Sequence, residues 1–194
     1  MNLLLLGPQG SGKGTQAKRL AEEHGIPHVS TGDMFRLAML AGTPLGLEIK
    51  PIYDRGDLVP DDLTVALIRE RLAEPDAAAG FVLDGFPRNL AQAEALDAML
   101  AEIGRGLDAI LFFDLDDETA TVRALGRAHE EGRADDTPEG IARRLALYHE
   151  VTEPVVEYYR VTGKLVPVHA ERPVDAVYAE IEDALRLLDV EAPA

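Results

Sequence analysis

A glycine-rich segment near the start of the chain has the residue types and spacing of a phosphate-binding loop. Residues 7–13 read Gly-Pro-Gln-Gly-Ser-Gly-Lys, after an apolar run at 2–6 and before a helical pattern at 15–24. Glycines let backbone N–H groups point inward around an anion, the helix start adds its positive dipole end, and Lys13 supplies a charge for a nucleotide's β- and γ-phosphates. A glycine-rich turn with a solvated lysine is the alternative, but the flanking strand and helix favour phosphate binding.

The residues after this lysine depart from the general pattern of such loops. Ser or Thr usually follows the lysine directly, whereas here Gly14 intervenes and Thr15 carries the hydroxyl. The departure narrows the set of P-loop proteins with which the chain can be compared.

Two acidic residues end apolar runs and are candidates for magnesium chemistry. Asp84 closes the run at 81–83 and is followed by Gly-Phe-Pro-Arg, whereas Asp114 closes the run at 110–113 without that continuation. An acid at the end of a strand beside a P-loop can hold Mg²⁺ or its water ligands. The alternative for Asp84 is a helix-capping or turn role. We rank Asp84 above Asp114 because of the segment that follows it.

Arginines recur in the segments that we expect to face the phosphate-binding loop. Taken singly, each is more typical of a solvated charge than of a ligand. In a chain with a formal net charge of -16, however, their recurrence in these segments is what two phosphate chains would require. They are Arg36, Arg88, Arg123, Arg127, Arg133, Arg143 and Arg144.

Length and charge limit the classes of protein to which the chain can belong. Its 194 residues suffice for one domain with a full core. The net charge of -16 argues against a nucleic-acid or anionic-membrane partner, because both recruit excess Lys and Arg. The apolar run at 3–6 is too short for a signal sequence, and no span approaches the roughly 20 apolar residues of a membrane helix. We therefore expect a soluble protein that is not exported.

The potential metal-ligating side chains show no recognisable metal motif. There is no cysteine, which excludes disulfides, thiol nucleophiles and thiolate metal sites and fits a reducing cytosol. We expect surface or packing roles for all five histidines, which are His24, His28, His129, His149 and His169.

Short apolar runs alternate with longer segments of helical period, which predicts a parallel sheet covered by helices on both faces. Pro154 should interrupt one C-terminal helix and Pro173 should open the last one. Residues 30–59 have a helical pattern without a convincing strand, and residues 127–137 are almost wholly polar. Insertions of this kind often lie outside the sheet and cover a site.

Several segments together resemble the adenylate kinase family, over residues 1 to about 188. The loop at 7–15 is similar to that family's, including its Gly-Thr ending. So are the segments Ser-Thr-Gly-Asp-Met-Phe-Arg at 30–36, Gly-Asp-Leu-Val-Pro-Asp at 56–61, Asp-Gly-Phe-Pro-Arg at 84–88 with Gln92, and Gly-Arg-Ala-Asp-Asp at 132–136. Several motifs in the family's order are more specific than any one of them.

The resemblance implies an α/β fold with a three-layer P-loop architecture and a five-stranded parallel sheet. Residues 1–194 would form a single domain, with an AMP-binding helical insertion at 30–59 and a short lid at 126–136. Many bacterial members carry a longer lid, sometimes with a cysteine-bound zinc, which length and composition exclude here. The family also suggests a cytoplasmic monomer whose cofactor is Mg²⁺ bound with ATP, with Asp84 reaching the metal through water.

The resemblance also implies roles for individual residues. The ATP-binding set would be Gly10, Ser11, Gly12, Lys13, Gly14, Thr15, Arg127 and Arg172. The AMP-binding set would be Thr31, Arg36, Asp57, Leu58, Val59, Gly85, Phe86, Pro87, Arg88, Gln92, Arg133 and Arg144. Catalysis would depend on Lys13, Arg88, Arg127, Arg133 and Arg144.

The implied reaction is reversible transfer of the terminal phosphoryl group of MgATP to AMP, giving two ADP. UMP/CMP kinases share the stretch at 84–89 but typically have Ala and Asn at the positions of Thr31 and Gln92, so these two residues favour AMP. The alternatives are a P-loop switch or regulatory ATPase with one nucleotide and a protein partner, and a catalytically silent nucleotide-binding module. The first would have no use for the acceptor motifs, and the second would be expected to have lost Lys13 or several arginines.

Overall fold

The computed structural model describes residues 1–131 and 136–191, which form a central sheet with helices on both faces. The five strands are β1 Asn2–Leu6, β2 His28–Ser30, β3 Phe81–Asp84, β4 Ala109–Asp114 and β5 Leu165–His169. The helices are α1 Lys13–His24, α2 Thr31–Leu40, α3 Pro44–Asp54, α4 Asp61–Leu72, α5 Leu90–Glu102, α6 Asp117–Glu131, α7 Pro138–Leu147, α8 Glu153–Arg160 and α9 Val174–Glu191. A 3₁₀ turn spans Pro75–Ala79 and a π-helical turn spans Tyr148–Thr152.

All strand pairs are parallel, in the order β2-β3-β1-β4-β5. The prediction of a five-stranded parallel sheet is therefore confirmed. Because β1 lies between β3 and β4, the loop that follows it emerges at the point where the strand order reverses direction. Ligands of open α/β sheets bind in the crevice at this point, beyond the carboxyl ends of the strands.

The consecutive apolar residues of β1 reflect burial on both faces of the sheet. Leu3 and Leu5 pack in one core layer with helices α1 and α9, and Leu4 and Leu6 pack in the opposite layer with α5 and α8. All four are at most 2% exposed. A third, smaller cluster lies inside the 30–59 insertion and contains Phe35, Ile49, Tyr53 and Val59.

Helices α7 and α8 are separated at the place where the sequence predicted an interruption. A π-helical turn follows α7 directly, and Pro154 lies in the first turn of α8, immediately after that turn. Pro173 precedes α9 directly and accepts from the N–H of Val177, as expected of a helix-opening proline.

Two elements differ from the sequence-based expectation. The strand β2 was not predicted because it has three residues, of which Val29 is the only buried apolar one. The polar segment at 127–137 begins as a continuation of α6 to Glu131, so the first part of the predicted lid is helical. In the part of the chain that the structure describes, no helix has both the length and the apolar character needed to cross a membrane.

Candidate active site

A cavity of about 1040 Å³ opens at the carboxyl ends of β1, β2 and β3. This volume lies at the upper end of the roughly 300–1,000 Å³ of small-molecule pockets. The phosphate-binding loop lines one part, the 30–59 insertion lines another, and side chains from α6, α7 and the segment after β3 lie between them. The cavity is therefore lined by several separate segments of the chain.

Most of the residues that the sequence assigned to the site line this cavity. They are Gly10, Ser11, Gly12, Lys13, Gly14, Thr15, Thr31, Arg36, Asp57, Leu58, Val59, Asp84, Gly85, Pro87, Arg88, Gln92, Arg127, Arg144 and Arg172. Phe86 does not line it: its ring is 1% exposed and packs in the core layer with α5 and α8, because the side chain after Gly85 turns into the domain. Arg133 lies outside the described residues.

The phosphate-binding loop wraps around the ammonium group of Lys13. Lys13 Nζ donates to the carbonyl oxygens of Gly7 and Pro8, both at 2.7 Å, and to Ser11 Oγ at 3.2 Å. Glycine is required at position 10, where φ is +81° and a Cβ atom would lie 2.3 Å from the carbonyl oxygen of Ala120 in α6. The loop thus approaches α6 more closely than any other residue type would allow.

The buried environment of Lys13 alters its protonation. Burial lowers the pKa of the Lys13 ammonium from 10.5 to about 8, with Asp84 opposing this shift and Arg88 and Arg127 adding to it. An anion bound in the loop would supply the missing negative charge and favour the protonated form.

We expect ATP binding at pH 9 to take up about 0.9 of a proton, because most of the free protein then has neutral Lys13 and the bound form is charged. The uptake should fall to about 0.1 of a proton at pH 7, which lies below the pKa of the free protein. Calorimetric titration with MgATP in buffers of different ionisation enthalpy measures this number. Lys13→Met is the control, and proton uptake at pH 9 that is equal in both proteins would contradict the assignment to Lys13.

Asp84 lies beside Lys13 and is held as a carboxylate. Burial alone would raise the pKa of the Asp84 carboxyl, but His28, Lys13 and Arg88 outweigh that effect and keep the pKa below its ordinary value. His28 Nε2 is 3.6 Å from Asp84 Oδ2. The expectation that every histidine has a surface or packing role therefore missed His28, which lines the cavity. Asp114 is exposed and does not line the cavity, in agreement with its lower rank.

Arg88 carries a buried charge in the segment after β3, near both Asp84 and Lys13. Its Nε donates to the carbonyl oxygen of Gly85 at 2.8 Å, and Thr31 Oγ1 donates to the same oxygen at 2.8 Å. Burial lowers the pKa of the Arg88 guanidinium. Among the described residues, no carboxylate lies within 4 Å of that guanidinium, which leaves it suited to bind an anionic ligand.

The side-chain amide of Gln92 is oriented by two neighbours. Its Oε1 accepts from the backbone N–H of Arg88 at 2.8 Å, and its Nε2 donates to Asp61 Oδ1 at 2.6 Å. Asp61 also accepts from Asn89 Nδ2, and Asn89 caps α5 by accepting from the N–H of Gln92. Because the Arg88 N–H can only donate and a carboxylate only accepts, the amide cannot flip.

A buried carboxylate joins the arginines of α6 and α7. Asp136 is fully buried, and its Oδ2 accepts from Arg127 Nη2 at 2.8 Å while its Oδ1 accepts from Arg144 Nη1 at 2.7 Å. Arg144 Nη1 also donates to Gln9 Oε1 at 3.3 Å. Arg127 and Arg144 are therefore held over the phosphate-binding loop from the opposite side of the cavity.

Comparison with known proteins agrees with this arrangement. The model of the adenylate kinase family matches residues 5–164, which extend from within β1 to the residue before β5. An adenylate kinase of Stenotrophomonas maltophilia is 50% identical over 186 residues, covering 96% of this chain and 100% of the relative. One from Xanthomonas euvesicatoria is 49% identical over 185 residues, covering 95% of this chain and 99% of the relative.

This chain belongs to the adenylate kinase family. The resemblance identified from the sequence motifs is thereby confirmed. The match with the family model includes the phosphate-binding loop, the 30–59 insertion and the described parts of the 126–136 segment.

Several cavity residues of this family member were not assigned a role from the sequence. Arg123 donates to the carbonyl oxygens of Ala170 at 2.7 Å and Glu171 at 3.1 Å, beside Arg172 in the loop before α9. Its place in the set of recurring arginines was the only sequence signal. His28 and Tyr53 also line the cavity, and no spacing pattern marked them, whereas Gln9 lies within the glycine-rich loop but was given no role of its own.

Proposed function

We propose that this chain transfers the terminal phosphoryl group of MgATP reversibly to AMP, giving two ADP, with the two nucleotides held in the two parts of the cavity. Residues 10–15 bind the donor phosphates, and Arg127 reaches them from α6. Arg36 and Arg88 bind the AMP phosphate, while Arg144 and Arg133 act on the group in transfer.

The observation that carries this proposal is the concentration of positive charge in one cavity of a very acidic protein. Lys13 of the loop, Arg36 of the insertion, Arg88 after β3, and Arg127 and Arg144 of α6 and α7 all line this cavity. The chain as a whole has a formal net charge of -16. Cations from both the loop and the insertion fit two phosphate chains, whereas a switch or regulatory ATPase would need only those that hold one nucleotide.

The orientation of Gln92 supports adenine as the acceptor base. After its bonds to Asp61 and Arg88, the amide keeps one N–H and one lone pair. An adenine edge presents an N1 acceptor beside an N6 donor. The free N–H of the Gln92 amide can donate to N1, and its free lone pair can accept from N6. Thr31 lies at the same side of the cavity, and the backbone of residues 57–59 and 85 completes the base-binding surface.

Catalysis in this arrangement depends on alignment and charge rather than on a general base. The second pKa of a phosphate monoester is about 6, so the acceptor oxygens of AMP are largely ionised at neutral pH. Lys13, Arg88 and Arg144 then stabilise the charge on the transferring group. Mg²⁺ bound with ATP supplies further neutralisation, and the ionised Asp84 fits the role of holding its water ligands.

Water must be excluded from the cavity, since an open site would hydrolyse ATP. We assign this role to closure of the 30–59 segment and the 126–136 lid within a single P-loop domain, with reopening limiting kcat. Asp57 accepts from Arg143 Nε at 3.0 Å, so a direct contact joins the insertion to α7. The lid is of the short type and has no cysteine ligand for zinc. We further propose a cytoplasmic monomer.

The test uses wild-type protein and Gln92→Asn with MgATP and four acceptors, namely AMP, GMP, UMP and CMP, in an assay for ADP. The wild type should prefer AMP. The shorter amide should raise the KM for AMP about tenfold, because one hydrogen bond to the base is lost. The KM for ATP should stay unchanged and serves as the internal control. Phosphorylation of UMP in preference to AMP would overturn the acceptor assignment, and an unchanged KM for AMP would remove Gln92 from base recognition.

A further inference from the structure

Tyr53 places a polar group in the acceptor part of the cavity. It lies in α3, is 8% exposed, and lines the cavity with Arg36, Arg88 and Arg144. Its hydroxyl accepts from Arg36 Nη1 at 2.6 Å, and Arg36 Nη2 pairs with Asp33. The guanidinium of Arg36 is thus held from two sides.

The hydrogen-bond capacity of the Tyr53 hydroxyl is only partly used. A guanidinium can only donate, so the bond with Arg36 engages a lone pair of the phenol oxygen and leaves the hydroxyl proton available. Among the described residues, no acceptor lies within hydrogen-bonding distance for that proton. A buried donor that faces cations is best satisfied by an anion.

Two further arginines lie near Tyr53 in the cavity. The guanidinium carbon of Arg144 is 5.5 Å from the centre of the Tyr53 ring. Tyr53 is also among the groups that act on the pKa of Arg88, together with Arg144 and Asp84. An anion bound between these arginines would lie within reach of the phenol.

The ring of Tyr53 is fixed by packing that does not need the hydroxyl. It contacts Phe35 edge-on, with ring centroids 6.3 Å apart, and belongs to the apolar cluster with Ile49 and Val59. A phenylalanine would fill the same space. The packing of the insertion's core therefore explains the ring of Tyr53 but not its hydroxyl group.

We propose that Tyr53 is a ligand of the acceptor phosphate. Its hydroxyl donates to a phosphate oxygen of the nucleoside monophosphate and holds Arg36 in position for the same group. The inference rests on the acceptor half-site proposed above, and it adds a neutral donor to the two arginines there.

The experiment compares wild-type protein with Tyr53→Phe, which keeps the ring. We expect the KM for AMP to rise roughly tenfold or more, as for loss of a hydrogen bond to a charged group. The bond exists before and during transfer, so kcat should change little. The KM for ATP and the melting temperature should stay at wild-type values. Tyr158→Phe is the matched control, because the Tyr158 hydroxyl donates to Asp97 in another part of the domain.

Adenosine separates recognition of the phosphate from recognition of the base. Its inhibition constant against AMP should be the same for wild type and Tyr53→Phe, because adenosine has no phosphate. An equal loss for adenosine and AMP would overturn the proposal in favour of a role toward the base, as would an unchanged KM for AMP. Arg36→Lys distinguishes failure of the Tyr53 inference from failure of the proposed acceptor half-site. If it raises the KM for AMP and Tyr53→Phe does not, only the Tyr53 inference fails; if neither does, the acceptor half-site itself is wrong.

Discussion

Replacement of Lys13 by methionine is expected to lower kcat by about 10² or more, the size of a single electrostatic contribution to a transition state. Lys13 Nζ lies at the centre of the phosphate-binding loop, where it donates to Gly7, Pro8 and Ser11. During transfer, the charge on the phosphoryl oxygens would draw this ammonium away from the carbonyls. Methionine fills similar space without supplying charge.

The fold should tolerate Lys13→Met. Burial lowers the pKa of Lys13 to about 8, so its charged form is not well accommodated in the free protein. Removing that charge should leave the melting temperature equal to or above the wild-type value. The matched control is Lys50→Met, since Lys50 is exposed in α3 and pairs with Asp54. A folded Lys13→Met protein with near-normal kcat would remove Lys13 from the mechanism.

Replacement of Arg88 by alanine is expected to have a similar effect, lowering kcat by about 10² or more. The guanidinium is buried, and the described residues place no carboxylate within 4 Å of it, so the acceptor phosphate becomes its counter-ion. Loss of the charge would leave the incoming nucleophile misaligned and the developing charge unshielded. The rate at saturating AMP should fall and the KM for AMP should rise.

The structural consequence of Arg88→Ala should be small. The side chain loses its bond to the carbonyl oxygen of Gly85, which still accepts from Thr31. Thermal unfolding should therefore show a melting temperature within a few degrees of wild type. Arg160→Ala, which removes an exposed arginine of α8 paired with Glu157, is the control for loss of one positive charge. Wild-type kcat in a folded Arg88→Ala protein would contradict the assigned role.

The two parts of the cavity differ in how far apart their residues lie along the chain. The donor half is contiguous: strand, loop and helix at 2–24 supply the glycines, the lysine and the helix start within one stretch of chain. Local spacing therefore suffices to identify its chemistry. The part that we assign to the acceptor is built from α2, α3, the end of β3 and the start of α5, which are far apart along the chain. No spacing along the chain reports which of these side chains meet.

Three contacts join residues that are far apart along the chain and could not be predicted from their spacing. Asp61 orients Gln92 from 31 residues away, and Tyr53 holds Arg36 from 17 residues away. His28 was assigned no chemical role, yet parallel pairing of β2 with β3 places it beside Asp84. Phe86 is the reverse case, because it belongs to a motif of the site but its ring packs in the core.

The sequence by itself determined the phosphate-binding loop, the parallel α/β class and membership of a family, because these depend on local pattern and on motifs in a known order. Only the tertiary structure decided which way Gln92 faces, that Arg127 and Arg144 share the buried carboxylate of Asp136, and that the Tyr53 hydroxyl contacts Arg36 at the cavity. The physical reason is that direction and burial of a side chain are set by partners from distant elements, and these partners meet only when the strands pair.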